Sequence, residues 1–224
     1  AHHLQNDIPQ LVIDIGGGST ECVIGQKNTI KALESLNIGC VSYQQQYFPG
    51  QVIDKKAFNQ AILNAKHQID NIVKRFKKQP WQQVVGTSGT IKAISRIVNI
   101  DNQVQRPFTL NDLQALKLQL LTFKHCQEIT INGLKDSRKS VICAGVAILI
   151  ALMEQLEIDA IEYCQYALRE GVLFEQLENL SHNNVRLRTV DNFSQRFNID
   201  LMHAHHVLKI AEIIFSQLSK AWHL

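Results

Sequence analysis

The chain has 224 residues, 45% apolar and 19% charged, a balance that supports a folded core and argues against disorder. Its net charge of +3 is too mild to argue for nucleic acid or an anionic membrane as a partner. The longest apolar run, Val141 to Met153, is shorter than the roughly 18 residues that a membrane-spanning helix needs, so it reads as a buried helix. No signal-peptide core is visible in Ala1 to Asp7. The five cysteines, Cys22, Cys40, Cys126, Cys143 and Cys164, form no C-x-x-C pair, and buried thiols in a reduced, cytoplasmic protein are expected.

Leu11 to Ile15 is apolar almost throughout, as in a strand buried on both faces. After three glycines, Ser19 to Gly25 and then Thr29 to Leu36 continue an antiparallel meander. Phe58, Ala61, Ile62, Ala65, Ile69, Ile72, Val73 and Phe76 fall at helical spacing and predict a helix over 54–77, with Asp54 as N-cap. A strand at Val84-Val85 leads through a second glycine-rich turn into a helix from about Ile91. Thr109 to Asp112 has capping-box form and opens a helix to about Phe123. Ser137 opens another, apolar on every side from Val141 to Met153. A last strand over 158–164 and a helix over 169–180 close the first domain, 1–182.

Ser181-His182-Asn183-Asn184 is polar and interrupts helical periodicity, which marks a boundary. In the second segment, 183–224, Val185 to Leu224 reads as two helices around a break near Asn198-Ile199-Asp200. The second has Val207, Ile210, Ile214 and Leu218 on one face, more apolar surface than so short a segment can bury alone. His203, His205 and His206 lack an accompanying carboxylate and read as surface histidines rather than metal ligands.

Chemistry concentrates in Asp14-Ile15-Gly16-Gly17-Gly18-Ser19-Thr20-Glu21, between two strands. An oligoglycine turn lets backbone amides approach a phosphate with no Cβ in the way, and Ser19 and Thr20 can add hydroxyls. Asp14 is placed to hold Mg²⁺ or orient a water, and Glu21 lies close to the same mouth. Gly86-Thr87-Ser88-Gly89-Thr90 presents a second set of amides at a helix N-terminus, where anions are favoured.

These loops resemble the phosphate-binding elements of the actin, sugar kinase and heat-shock ATPase superfamily. Five segments in order narrow the resemblance: Asp14 to Glu21, Gly39-Cys-Val-Ser42, Tyr47-Phe-Pro-Gly50, Gly86 to Ala93 and Ala167-Leu-Arg-Glu-Gly-Val172. Together they are similar to the exopolyphosphatase and guanosine pentaphosphate phosphohydrolase family. The resemblance implies an α/β, ribonuclease H-like lobe with a mixed sheet and flanking helices. Two helices of an incomplete HD-like helical domain would follow.

By position, the resemblance implies that Asp14 and Glu21 act at the metal and the attacking water. Gly16, Gly17, Gly18, Ser19 and Thr20 would form the phosphate hairpin, and Gly86, Thr87, Ser88, Gly89 and Thr90 the facing loop. Arg138 would bind a substrate phosphate, for which its fork is suited. Arg169 and Glu170 match the late Arg-Glu-Gly and fit either function or a structural ion pair. The implied activity is Mg²⁺-dependent release of terminal phosphate from inorganic polyphosphate or guanosine pentaphosphate, in the cytoplasm, by a homodimer of the full-length protein. In the family the general-base glutamate belongs to a preceding lobe that nothing before Leu11 matches. A non-catalytic phosphate-binding and docking module is the alternative for the isolated chain.

Overall fold

The computed structural model describes residues 8–26, 29–100, 105–165, 194 and 199–222. The chain divides into two compact units, Ala1–Leu168 and Arg169–Leu224. The predicted boundary at 181–184, the helix over 169–180, and Arg169 and Glu170 lie outside the described residues.

The first unit is built on a six-stranded mixed sheet. Strands β1 (Gln10–Ile15), β2 (Thr20–Gln26) and β3 (Thr29–Leu36) form the expected meander, β2 being antiparallel to both neighbours. On the other side of β1, β4 (Gln83–Thr87) and then β6 (Ala160–Tyr163) run parallel to it. The two-residue β5 (Phe108–Thr109) closes that edge, giving the order β3-β2-β1-β4-β6-β5. This is the mixed sheet expected of a ribonuclease H-like lobe. Leu11, Ile13 and Ile15 of β1 are buried on one face, while Val12 and Asp14 on the other are only half-buried.

Helix α1 (Cys40–Tyr47) follows the meander. Its Gln44-Gln45-Gln46 run hides any apolar stripe, and sequence periodicity does not reveal it. Helix α2 (Lys55–Phe76) starts where predicted, with Asp54 Oδ1 accepting a 2.7 Å hydrogen bond from the Ala57 amide. Its apolar stripe is buried apart from the half-buried Val73. Helix α3 (Ser88–Val98) begins three residues before the predicted start, so the second glycine-rich turn is itself the first helical turn. Helix α4 (Leu110–Leu120) carries the predicted Thr109–Asp112 capping box. Arg106 adds two hydrogen bonds to Asp112, at 2.7 and 2.8 Å, and these hold that carboxyl well below the usual range.

The helix expected from Ser137 is two helices, α5 (Asp136–Lys139) and α6 (Ile142–Leu156), with a break at Ser140-Val141. Every residue of α6 from Ile142 to Met153 is buried, and the helix packs against α1, α2, α3, α4 and α5. The sequence explains this placement: a helix with no polar face has no stable surface position. Of the second unit, α7 (Leu201–Trp222) is described, and Val207, Ile210, Ile214 and Leu218 on it are exposed. His203, His205 and His206 are exposed as well. No helix among the described residues is long and apolar enough to cross a membrane.

Two predictions test this core. Ile148→Ala should lower unfolding free energy by about 2–5 kcal/mol in denaturant titration, because α6 is enclosed and cannot collapse around the cavity. Burial pushes the Cys22 thiol up to about 12, and Cys40, Cys126 and Cys143 are also buried. At about pH 8 a thiol reagent should therefore label the half-buried Cys164 quickly and the other four only after unfolding.

Candidate phosphate and metal site

The site grows from strand register. Asp14 on β1 is paired with Glu21 on β2 and with Thr87 on β4, and Glu21 is paired with Ser35 on β3. Paired residues share a face, so Ser35, Glu21, Asp14 and Thr87 form one polar row across four strands. Ser19 Oγ and Ser35 Oγ donate to Glu21 Oε1 at 2.6 and 2.9 Å. Neither Asp14 nor Glu21 has a Lys or Arg ion-pair partner among the described residues. Opposed carboxylates without a cation are unfavourable in a strand pair. A hard divalent cation such as Mg²⁺ is commonly held by one or two carboxylates plus phosphate oxygens, and this donor set fits it.

The glycine hairpin leaves β1 directly after Asp14-Ile15. Two of its three glycine carbonyls are taken: Gly16 O accepts from Cys40 N at 3.0 Å, and Gly17 O accepts from Val41 N at 2.9 Å and Ser42 N at 3.1 Å. The first turn of α1 thus satisfies two of the groups that would repel an anion. Gly39 makes this docking possible, since a Cβ there would collide with the Gly17 and Gly18 backbone. The Gly16 amide donates to Ser19 O at 2.8 Å. Among the described residues the amides of Gly17, Gly18 and Ser19 have no partner, and Gly17 and Gly18 are exposed.

The structure narrows the predicted cradle. Gly16 spends its amide inside the turn. Thr20 is fully buried and its hydroxyl donates to Ile38 O, so it braces the hairpin instead of offering a donor to a ligand. Open amides remain at Gly17, Gly18 and Ser19.

The second loop narrows in the same way. Gly86 is a buried strand residue, tight against Ile91 and Ile161. Thr90 is buried, with its methyl packed where Gly145 of α6 has no Cβ. Thr87 is the N-cap of α3 but makes no side-chain cap bond, and the first turn contains no acid. Ser88 adopts φ +90°, a left-handed conformation that costs a non-glycine residue about 1–3 kcal/mol. The guanidinium of Arg138 lies directly over Gly89, leaving no room for a Cβ. A cation at a helix N-terminus is unfavourable unless an anion joins it. Because β1 and β4 are parallel neighbours, both loops leave the same end of the sheet, at the C-terminal ends of the two strands.

The structure therefore brings together Asp14, Glu21, the Gly17–Ser19 amides, Ser88, Gly89 and Arg138. Sequence reading missed the role of α1, whose amides cap the hairpin; the Gly39-Cys-Val-Ser motif was its signal.

Residues 1–180 match the Ppx/GppA phosphatase family. A relative from Pseudoalteromonas translucida (strain TAC 125), named guanosine-5'-triphosphate,3'-diphosphate pyrophosphatase, is 39% identical over 213 residues, which is 95% of this chain and 43% of that protein. The crystal structure of an Aquifex aeolicus member of the Ppx/GppA family has a TM-score of 0.69 at 23% identity, over 80% of this chain and 60% of that one. An exopolyphosphatase from Cytophaga hutchinsonii has a TM-score of 0.66 at 22% identity, over 78% of this chain and 58% of that one. The chain belongs to the Ppx/GppA phosphatase family, and the two structures share its fold. It spans less than half the length of the curated relative described.

Two variants test the geometry. Gly39→Ala should undock the hairpin from α1 and weaken orthophosphate binding, read by calorimetry, while far-ultraviolet circular dichroism stays unchanged. Ser88→Gly should raise unfolding free energy by about 1 kcal/mol by releasing backbone strain.

Proposed function

We propose that this chain is the phosphate-gripping part of a phosphohydrolase that removes the terminal phosphate of guanosine pentaphosphate, with inorganic polyphosphate as a second substrate. The observation that carries this reading is the polar row Glu21–Asp14–Thr87 on the strands next to the glycine hairpin, whose Gly17, Gly18 and Ser19 amides have no partner among the described residues. The name of the Pseudoalteromonas translucida relative favours the guanosine compound, and the resemblance read from the sequence supports both.

Hydrolysis of a phosphoanhydride transfers a phosphoryl group to water, so the protein's main tasks are positioning and charge stabilisation. The Gly17–Ser19 amides would bind the oxygens of the phosphoryl group under attack. Arg138 and the first turn of α3 would hold the adjoining phosphate. Asp14, with Glu21 beside it, would hold Mg²⁺, which when bound supplies neutralisation of the phosphate oxygens. Ser19 and Ser35 fix the Glu21 carboxylate. The base that deprotonates the water is assigned by resemblance to a glutamate of another lobe, so the 224-residue chain alone is read as binding phosphate without turnover. We also assign residues 183–224 to the opening of a helical domain, and the full-length protein to a cytoplasmic homodimer.

In the full-length protein that contains this chain, Asp14→Asn should cut kcat about a hundredfold with a smaller change in KM, measured by phosphate release from guanosine pentaphosphate. Unchanged turnover would reduce Asp14 to a strand-end residue. Gly17→Val should abolish orthophosphate binding by the chain while thermal unfolding remains cooperative; retained binding would remove the hairpin from the site.

A further inference from the structure

Glu21 receives two hydroxyl hydrogen bonds, and both fall on one oxygen. Ser19 Oγ and Ser35 Oγ donate to Oε1 at 2.6 and 2.9 Å. A carboxylate oxygen offers about two lone-pair sites, so Oε1 is filled. Oε2 has no hydrogen-bond partner among the described residues. The carboxylate is therefore held on one side and open on the other, next to Asp14, its partner across the β1–β2 pair.

The two donors are not equivalent. Ser19 belongs to the hairpin, and its amide, without a partner among the described residues, is one of the groups offered to a phosphate. A hydroxyl rotates to suit its surroundings, so an incoming phosphate oxygen competes with Glu21 for the Ser19 proton. Ser35 stands outside the hairpin, on β3, opposite Glu21 in the strand register. It is exposed on the edge strand of the sheet, so its side chain fills no gap in the core. Valine, isoleucine or threonine would suit such a strand better by propensity. The bond to Glu21 is the one contact of the Ser35 side chain among the described residues, and it distinguishes this serine from any other small residue.

We propose that Ser35 is a positioning residue of the hydrolytic reaction and acts through Glu21. Its hydroxyl holds Oε1 while the hairpin engages phosphate, and so keeps Oε2 as the atom available to a metal ion or a metal-bound water. The orientation of the acid is thus set from the third strand of the meander as well as from the hairpin. The inference rests on the phosphohydrolase reading of Asp14 and Glu21.

The test uses Ser35→Ala, Ser35→Val and Ser35→Thr, of which the last alone keeps a hydroxyl. In the full-length protein that contains this chain, phosphate release from guanosine pentaphosphate should fall about tenfold in kcat for Ser35→Ala and Ser35→Val, because one charge-assisted contact is lost. KM should change little, since the residue does not touch substrate. Ser35→Thr should restore kcat to within about threefold. Calorimetry of the 224-residue chain with Mg²⁺ in the presence of orthophosphate should follow the same order, with weaker binding for Ser35→Ala and Ser35→Val and recovery for Ser35→Thr. Thermal unfolding should be unchanged in all three variants, as expected for an exposed side chain. In a Glu21→Gln background, Ser35→Ala should add no further loss. Unchanged kcat and Mg²⁺ binding in Ser35→Ala overturns the inference. So does equal behaviour of Ser35→Val and Ser35→Thr, a loss that appears in KM alone, or a loss that adds in full to that of Glu21→Gln. If Ser35→Ala fails to fold, the comparison of Ser35→Val with Ser35→Thr carries the test. Glu21→Gln alone separates the two readings. Normal turnover in that variant removes Glu21 from the site and the positioning role with it, whereas impaired turnover beside a normal Ser35→Ala overturns only the role of Ser35.

Discussion

The docking of the Gly16 and Gly17 carbonyls onto the first turn of α1 underlies everything at this end of the molecule. A glycine loop exposes carbonyls as readily as amides, and a loop free to turn would meet an anion with either. Here three amides of α1 take the Gly16 and Gly17 carbonyls, so those two acceptors are occupied while the amides of Gly17, Gly18 and Ser19 stay available as donors. The arrangement depends on Gly39, because any side chain there would push α1 away. It also depends on Thr20, whose hydroxyl ties the base of the hairpin to Ile38 O just before that helix.

Strand register does the equivalent for the acids. Pairing of β1 with β2 fixes Asp14 beside Glu21, and parallel pairing of β1 with β4 fixes Asp14 beside Thr87. A slip of one residue would turn Asp14 into the face that buries Leu11, Ile13 and Ile15. Burial of those apolar residues therefore holds the carboxylate at the open face, and core packing and site geometry are one constraint.

Much of this was legible in the sequence. The meander, the Asp54 cap, the Thr109–Asp112 box and the all-apolar α6 each carry a local signal, and each appears where expected. Helix α1 carries none, since its glutamines conceal a face that buries Cys40 and Tyr43. The start of α3 was misplaced because Ser88 and Gly89 have the composition of a turn, whereas tertiary packing draws them into the helix. Within the site, the sequence marked the right loops but could not tell donors from braces. Ser19 and Thr20 look alike in a string of letters, yet one belongs to the tip and the other is buried under it.

The unfavourable features of the lobe fall at one end of the sheet, where β1 and β4 finish, and they call for complementary ligands. Asp14 and Glu21 oppose two carboxylates, and neither has a Lys or Arg ion-pair partner among the described residues. Arg138 lies on the positive end of α3, and Ser88 holds a strained backbone at the same turn. The first is relieved by a cation and the second by an anion, so a metal–phosphate pair relieves both at once. Such an arrangement persists without its ligand only if the rest of the structure offsets it. Helix α6 supplies that offset, because each of its fully buried isoleucine and leucine side chains contributes about 1.5–3 kcal/mol, comparable with the strain at Ser88. The apolar helix that reads as inert filling is what allows this polar end of the sheet to remain poised.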